Sequence, residues 1–431
     1  MYRKIYERLK EWKNSKYRKP LILQGPRQVG KTYSVLEFGR LEYEQVAYFN
    51  FQTDQKLLQT FEESLHPDYL IPLLSRIAKV TITKGQTLIV FDEVQLSERA
   101  LTALKYFCEA APEYHVIAAG SLLGVAVNRE QFSFPVGKVD ILDMYPMDFG
   151  EFLLAMREEE LRKEIAEHYA SDEPMPLVSH DAAMQMYREY LVVGGMPECV
   201  GKYAATKDFV LIRQTQDEIL TGYMNDMSKY NKNTEIQKTR LVYNSIIVQL
   251  SRKNTRFQYK LVRKGGRASE LENAIEWLVL SGIVSRIYCI DRAWKPLENY
   301  KNIDAFKIYM SDTGLLCAKQ DVVPDDVLYM TSELDEFKGG MTENYVNCQL
   351  AANGYRSYCW SPDSNTEVDF VIQKAGKIIP LEVKAGENVG ARSLKKYMDM
   401  YTPEYAIRLS AKNFGFDDGK KSVPLYATFC I

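Results

Sequence analysis

Residues 25–32 read Gly25-Pro26-Arg27-Gln28-Val29-Gly30-Lys31-Thr32, which fits the pattern G-x-x-x-x-G-K-[ST] in full. The apolar run Leu21–Leu23 before it predicts a buried strand, and a helical pattern begins after it. The glycines let the backbone curve so that its N–H groups face phosphate oxygens, and the positive end of the next helix adds attraction. We expect Lys31 to reach the β- and γ-phosphates and the Thr32 hydroxyl to hold Mg²⁺. The loop therefore predicts a bound nucleoside triphosphate.

Length and composition limit the class of protein. The chain has 431 residues, 46% of them hydrophobic, which predicts two to four globular domains in a water-soluble protein. A net charge of −2 excludes a broadly basic surface for nucleic acid, although a local basic patch remains compatible with it. The polar N-terminus does not resemble a signal peptide, and no apolar run is long enough to span a bilayer. We expect a cytoplasmic protein that does not associate with membranes.

The cysteines support this expectation. They are scattered, and none forms a C-x-x-C pair, so the sequence predicts neither a zinc site nor a disulfide framework. The seven positions are Cys108, Cys199, Cys289, Cys317, Cys348, Cys359 and Cys430.

Short apolar runs alternate with helical patterns through the first part of the chain. This alternation predicts a parallel sheet covered by helices on both faces. The four predicted strands are Leu21–Gln24, Val46–Phe51, Thr87–Phe91 and His115–Ala119.

The second strand-based motif is Leu88-Ile89-Val90-Phe91-Asp92-Glu93, which has the form of a Walker B strand. Asp92 would emerge at the carboxyl end of the strand and hold Mg²⁺ through water, while Glu93 would polarise the attacking water. A buried strand that ends in solvated acids is the simpler alternative. The P-loop upstream favours the functional interpretation. Ser121, after the strand that ends at Ala119, could sense the γ-phosphate or could be a small turn residue.

Together these residues resemble a known family. The order of the P-loop, Asp92-Glu93-Val94-Gln95 and the segment Leu142–Phe152 is similar to that of a prokaryotic AAA-superfamily ATPase. In that family the ATPase is fused to a C-terminal domain of unknown function with a nuclease-like core. The resemblance implies ATP as the nucleotide, and Gly194-Gly195-Met196-Pro197-Glu198 resembles the family's helical-lid signature.

One departure from the family concerns its arginine finger. This chain has Gly137-Lys138 where the family pattern has Gly-Arg, and lysine lacks the planar fork of arginine. Arg129 is another candidate, so the sequence assigns no arginine finger and defines no oligomer.

The middle of the chain predicts a winged-helix domain. Its third helix would be Ser269–Ser281, and Val284–Ile290 with Phe306–Met310 would form the wing. Residues 252–267 contain seven basic residues and no acid, with Phe257 and Tyr259 among them, which could bind nucleic-acid phosphates and add an aromatic contact. The acidic recognition helix fits the DNA major groove poorly, so backbone contact is the expected mode. A solvated or domain-docking face is the alternative.

The C-terminal block contains acids and a lysine in a strand pattern. Asp369 and Glu382 could bind a divalent ion, Lys384 could orient or deprotonate water, and Glu343 on a preceding helix could complete the metal shell. The spacing resembles the PD-(D/E)xK nuclease superfamily, with Glu382-Val383-Lys384 as its E-x-K part. A strand with a solvated face would give the same E-x-K pattern, and retained ligands need not cleave.

The predicted architecture is therefore α/β, with a P-loop AAA-type core followed by a lid, a winged helix and a nuclease-like α/β domain. The predicted boundaries are 1–155, 156–235, 236–325 and 326–431. We predict a Mg²⁺-dependent ATPase that acts on or with nucleic acid, with DNA as a candidate partner. Two alternatives remain: a nuclease that ATP only licenses, and an ATP-gated regulatory or protein-binding switch whose nuclease-like domain is silent.

Overall fold

A computed structural model describes residues 1–120, 135, 137–230, 233–252, 255–363, 365–386 and 392–431. The chain divides into two compact units. The N-terminal unit comprises residues 2–145 and 280–282, and the C-terminal unit comprises residues 1, 146–279 and 283–431. Across the described ranges, no helix is both long and apolar enough to cross a membrane.

The N-terminal unit is built on a five-stranded parallel sheet in the order β2-β3-β4-β1-β5. This confirms the predicted parallel sheet, and each of the four predicted strands is present to within a residue at either end. The fifth strand was missed because Asp140-Ile141-Leu142-Asp143 carries an acid at each end and is only partly buried. The strands are β1 Leu21–Gln24, β2 Gln45–Asn50, β3 Thr87–Asp92, β4 His115–Ala119 and β5 Asp140–Asp143.

Helices cover the sheet because alternate residues of each strand point to opposite faces. Leu21 and Leu23 pack in one apolar cluster with residues of α1 and α2, whereas Ile22 packs in a second cluster with α3, α4 and α5. Two-sided burial explains the continuous apolar runs of the central strands. The helices are α1 Ile5–Asn14, α2 Lys31–Glu42, α3 Gln55–Glu63, α4 Pro67–Ala78 and α5 Glu98–Ala110.

The C-terminal unit begins with a mainly helical stretch. The charged stretch from Glu151 to Tyr169 forms parts of two helices, because Arg157 adopts a left-handed conformation with φ of 65° and interrupts them. The helices of this unit are α6 Phe149–Ala155, α7 Glu159–Ser171, α8 Leu177–Val193, α9 Pro197–Thr206, α10 Phe209–Tyr230, α11 Asn233–Leu250, α12 Tyr259–Val262, α13 Ala268–Leu280 (whose last residue belongs to the N-terminal unit), α14 Thr313–Lys319, α15 Pro324–Tyr329, α16 Lys338–Ala352 and α17 Arg392–Tyr401.

The Gly194-Gly195 pair that ends α8 fits a crowded turn. A Cβ on Gly195 would lie 2.1 Å from the Met147 backbone oxygen, and a Cβ on Gly194 would lie 2.3 Å from Asp312 Oδ1. Asp312 caps α14 by accepting from the Leu315 N–H at 2.8 Å, and it also accepts from the Gly195 N–H at 2.6 Å. The glycines thus let the end of α8 approach the start of α14, which is a packing role for the predicted lid signature.

The second sheet of the protein has eight strands in the order β12-β13-β11-β10-β9-β8-β6-β7. The predicted wing strands pair antiparallel as β6 and β7, and β6 also pairs in parallel with β8. The regions predicted as winged-helix and nuclease-like domains therefore share one mixed sheet. Its strands are β6 Val284–Ile290, β7 Lys301–Met310, β8 Tyr358–Trp360, β9 Val368–Lys374, β10 Lys377–Val383, β11 Ala406–Ser410, β12 Gly415–Asp417 and β13 Lys420–Pro424.

A disulfide joins Cys289 of β6 to Cys359 of β8, which corrects the expectation that the cysteines form no disulfide. The two residues are directly paired across the neighbouring strands, with their Cα atoms 4.4 Å apart. They are 70 residues apart in sequence, so only the sheet register brings them together.

Candidate functional site

The P-loop joins β1 to α2 through backbone conformations that favour glycine. Gly25 and Gly30 have φ of 149° and 90°, and Gln28 has φ of 66°. A Cβ on Gly25 would lie 2.1 Å from the Met144 backbone oxygen, so only glycine lets the loop pass this close to the end of β5. The predicted nucleotide-binding residues Gly25–Thr32 thus form a tight loop at the carboxyl edge of the sheet and the first turn of α2.

Lys31 is the first residue of α2 and lies within this turn. Its side chain is 7% exposed, and Nζ donates to the Gly25 oxygen at 2.8 Å and to the Pro26 oxygen at 2.7 Å. Burial lowers the pKa of Lys31 to about 8, although the Glu93 and Asp92 carboxylates oppose the shift. The amine is therefore positioned by the same loop whose N–H groups are expected to bind phosphate.

Thr32 and Asp92 are joined directly. The Thr32 hydroxyl donates to the Asp92 carboxylate, with Oγ1 lying 3.0 Å from Oδ2 and 3.2 Å from Oδ1. Asp92 is the last residue of β3 and is 5% exposed. A hydroxyl and a carboxylate side by side are the oxygen ligands that Mg²⁺ prefers. The two predicted Mg²⁺ residues therefore lie together.

Tyr48 is a third member of this group, and the sequence prediction missed it. Its hydroxyl donates to Asp92 Oδ2 at 2.7 Å, and the side-chain amide of Asn50 donates to the Tyr48 hydroxyl at 3.2 Å. Burial, with the Asp92 hydrogen bond as a further cause, raises the pKa of Tyr48 to about 12. Tyr48 and Asn50 are alternate residues of β2, and the parallel register of β2 with β3 places them beside Asp92.

Glu93, the predicted water-polarising residue, follows β3 with φ of 52°. Its backbone N–H donates to Asp92 Oδ1 at 3.1 Å, and its carboxylate accepts from the Gln95 side-chain amide. Glu93 is partly exposed, whereas Gln95 is 9% exposed. Gln95 thus fixes the carboxylate of Glu93, and the backbone of Glu93 fixes Asp92.

Two predicted residues lie outside the described part of the chain, namely Ser121 and Arg129. The strand that leads to Ser121 is described, and its last residue, Ala119, pairs with Asp92 of β3. Lys138, which stands where the family pattern has arginine, forms an ion pair with Glu109 at 2.9 Å.

The C-terminal residues predicted to form a nuclease-like site come from β9, β10 and α16. Asp369 Oδ2 accepts from the Val383 N–H at 2.8 Å, and Lys384 Nζ lies 2.7 Å from Glu382 Oε1. Glu343 Oε2 accepts from the Tyr309 hydroxyl at 2.8 Å. Burial and the neighbouring Glu382 raise the pKa of Asp369 well above its usual value, and burial also raises the pKa of Glu382.

A buried lysine, Lys307 of β7, lies among these acids and was not predicted. Its side chain is 0% exposed, and Nζ lies 2.7 Å from Glu367 Oε1, 3.1 Å from Glu343 Oε2 and 3.8 Å from Asp369 Oδ1. Burial lowers the pKa of Lys307, but the carboxylates, Glu343 first, outweigh it and raise the pKa well above its usual value. Among the described residues, no three His, Cys, Asp or Glu side chains are arranged to hold a metal ion.

The basic segment at residues 252–267 is partly used inside the C-terminal unit. Arg256 forms an ion pair with Glu367 at 2.9 Å, and Arg263 pairs with Glu270. Phe257 is buried and stacks on Phe306, so it is not available as an aromatic contact for nucleic acid. The remaining described basic residues of the segment are exposed: Arg252, Lys260, Lys264 and Arg267.

Three stretches of the chain match models of known protein families. Residues 17–153 match the model of an AAA domain. This part of the chain is therefore similar to the domains of AAA-superfamily ATPases. Residues 184–326 match a domain of unknown function (DUF8612), and residues 338–428 match another (DUF4143). No curated protein matches the chain closely enough to count as a relative.

Three solved structures show a distant likeness. A Walker-type ATPase of Pyrococcus abyssi is 14% identical over 74% of this chain and 95% of its own, with a TM-score of 0.43. The ORC1 protein of Aeropyrum pernix, solved in complex with DNA, is 14% identical over 74% and 90%, with a TM-score of 0.28. The RuvB Holliday junction branch migration motor of Thermotoga maritima is 13% identical over 66% and 90%, with a TM-score of 0.30. The family match to residues 17–153, rather than these likenesses, supports the proposals that follow.

Proposed function

We propose that this protein binds ATP with Mg²⁺ and hydrolyses it at the P-loop site. The observation that carries the proposal is the contact of Thr32 with Asp92 beside the buried amine of Lys31. Lys31 would bind the β- and γ-phosphates, and Thr32 with Asp92 would hold Mg²⁺ between those phosphates and the sheet edge. Glu93 would act as the base for the attacking water.

The test is the rate of ATP turnover in the full chain with Glu93→Gln. Loss of a general base costs about 10²–10⁴-fold in rate, and ATP binding should remain because the P-loop is intact. Glu98→Gln, an exposed acid five positions along the chain, is the matched control and should leave the rate unchanged. Undiminished turnover in Glu93→Gln would rule out the assigned role of Glu93.

We further propose that ATP turnover is coupled to nucleic acid, with DNA as the candidate. The support is the set of exposed basic residues Arg252, Lys260, Lys264 and Arg267, which could neutralise phosphates. Lys264→Ala with Arg267→Ala should weaken DNA binding and reduce its salt dependence. Lys395→Ala with Lys412→Ala, also exposed, is the control. Two results together would exclude this coupling through residues 252–267. DNA binding would be equal in the two double variants, and neither duplex nor single-stranded DNA would alter the ATPase rate.

The second candidate function is an ATP-gated regulatory or protein-binding switch whose nuclease-like domain does not cut. One observation favours it, the placement of the Lys307 ammonium between Glu343 and Glu367. Metal-dependent plasmid nicking that is lost in both Asp369→Ala and Lys384→Ala would instead support cleavage. Absence of nicking, with turnover that DNA does not change, would favour the switch.

A further inference from the structure

Lys307 is a cation supplied by the chain itself to a cluster of acids. The carboxylates of this cluster are Glu343, Glu367, Asp369 and Glu382, which come from α16, the approach to β9, β9 and β10. Lys307 Nζ lies within 3.1 Å of oxygens of Glu343 and Glu367 and 3.8 Å from Asp369. The side chain of Lys307 is 0% exposed, so its ammonium does not contact bulk water.

Neighbouring side chains hold the carboxylates that bind Lys307. Glu343 Oε2 also accepts from the hydroxyl of Tyr309, which follows Lys307 by two residues in β7, and from the Thr255 hydroxyl at 3.2 Å. Glu367 is held from its other oxygen by Arg256 at 2.9 Å. A buried ammonium remains charged when carboxylates surround it and hydrogen bonds fix them, as these do.

The charges of the cluster are nearly balanced without a metal ion. Four carboxylates face three cations, because Arg256 and Lys384 accompany Lys307. A divalent ion needs several oxygen ligands with unopposed negative charge. Here two of the four carboxylates already bind the Lys307 ammonium. That ammonium would repel a second cation placed near Asp369, because the two charges would be a short distance apart.

We propose that Lys307 is the resident cation of this cluster and takes the position that a divalent metal ion would need. The C-terminal unit therefore binds no Mg²⁺ or Mn²⁺ at Asp369 and Glu382, and the cluster instead fastens β7 to α16 and β9. This inference deepens the second candidate function and rests on it, and it does not depend on ATP hydrolysis at the P-loop.

Removal of the lysine should turn the cluster into a metal site. Glu382 is 6% exposed, and its Oε2 has no hydrogen-bond partner among the described residues. Lys307→Met replaces the ammonium with an uncharged side chain of similar length, so that the acids it bound can turn toward a metal ion. Oxygen-rich sites of this kind suit Mn²⁺, which serves as the probe.

The experiment is a Mn²⁺ titration of the full chain, without nucleotide, followed by electron paramagnetic resonance. The wild type and Asp369→Asn should bind the same number of ions. Lys307→Met should bind one more, and Lys307→Met with Asp369→Asn should lose it again. Lys307→Arg retains the charge and should gain none. Lys319→Met is the matched control, because Lys319 is a half-buried lysine that donates to Asn244.

Two results would overturn the proposal. One is a Mn²⁺ ion bound by the wild type and absent from Asp369→Asn, a comparison that does not require Lys307→Met to fold. The other is a Lys307→Met protein with an unchanged circular dichroism spectrum that gains no ion. Normal Glu93-dependent ATP turnover in these same proteins would leave the P-loop proposal unaffected by either result.

Discussion

The hydroxyl of Thr32 lies 3.0 Å from the Asp92 carboxylate, so the first turn of α2 is joined to the end of β3 by a side-chain hydrogen bond. This contact brings together two residues that are 60 positions apart in sequence. It links the P-loop to β3 through the groups proposed to hold Mg²⁺, which makes the contact the most direct target for mutation.

Thr32→Ala should reduce Mg²⁺-dependent ATP turnover by at least about 10²-fold, because displacement of a group that positions a reacting phosphate has costs of this order. Thr32→Ser retains the hydroxyl and should remain within a few-fold of the wild type. Steady-state turnover over a range of Mg²⁺ concentrations provides the measurement. Equal rates for the alanine and serine variants would refute the role of the hydroxyl.

Tyr48→Phe should raise the Mg²⁺ concentration needed for half-maximal turnover by about tenfold, the equivalent of about 1.4 kcal/mol. The variant removes the 2.7 Å hydrogen bond to Asp92 and leaves the ring in place. A hydrogen bond to a charged group contributes about 1.5–3 kcal/mol, and the partial exposure of Tyr48 favours the lower end. We expect the KM for ATP at saturating Mg²⁺ to change little.

The control for Tyr48→Phe is Tyr17→Phe, since Tyr17 is 89% exposed and lies in the same unit. If Tyr48 had a purely structural role, Tyr48→Phe would have a lower thermal stability and an unchanged dependence of turnover on Mg²⁺. That pattern would show that Tyr48 does not orient Asp92.

Gly195→Ala should destabilise the C-terminal unit by about 1–3 kcal/mol, the usual cost of overpacking. Its Cβ would meet the Met147 backbone oxygen at 2.1 Å, and a backbone atom cannot rotate away as a side chain can. Gly222→Ala, within α10, meets open space and should stabilise by about 0.5–1 kcal/mol through helix propensity. Urea unfolding of the two variants gives the comparison, and equal midpoints would contradict the packing role of the turn.

Acid should destabilise the N-terminal unit partly through His115. Burial, then Arg18 and Lys13, lowers the pKa of this imidazole to about 4. Its ordinary pKa is about 6.5, so between those values the unfolded chain binds a proton that the folded chain does not. Stability from this group is therefore complete above about pH 6.5 and decreases as the pH falls toward about 4.

His115→Asn should flatten the loss of thermal stability over that pH range, because asparagine does not titrate and its side-chain oxygen can accept from Tyr43, whose hydroxyl lies 2.7 Å from His115 Nδ1. The wild type in the same buffers is the reference. Melting temperatures of the two proteins at several pH values give the comparison. An unaltered slope in His115→Asn would assign the acid sensitivity to other groups.

The sequence predicted the P-loop and the alternation of strands and helices well, because each of these signals is local. Tyr48 was missed because its role depends on the register of β2 with β3, in which Asn50 pairs with Asp92. That pairing is not visible in either strand alone.

Lys307 was missed for a different reason. The segment Phe306-Lys307-Ile308-Tyr309-Met310 alternates like a strand with one solvated face, and a lysine at such a position is ordinarily exposed. In the structure all five residues are buried, because α16 and β9 supply acids to the face that carries Lys307. The disulfide partners Cys289 and Cys359 were likewise brought together by a strand pairing across 70 residues.

The eight-stranded sheet also constrains how this protein can be divided or recombined. The two stretches matched by domains of unknown function end and begin at residues 326 and 338, yet β6 from the first pairs with β8 from the second. A chain truncated after residue 326 would expose the backbone groups at the end of β6 that face β8, at Cys289 and Ile290, and an unprotected strand edge recruits other chains. The two stretches should therefore be inherited together, and gene fusions that carry only one of them should yield insoluble protein.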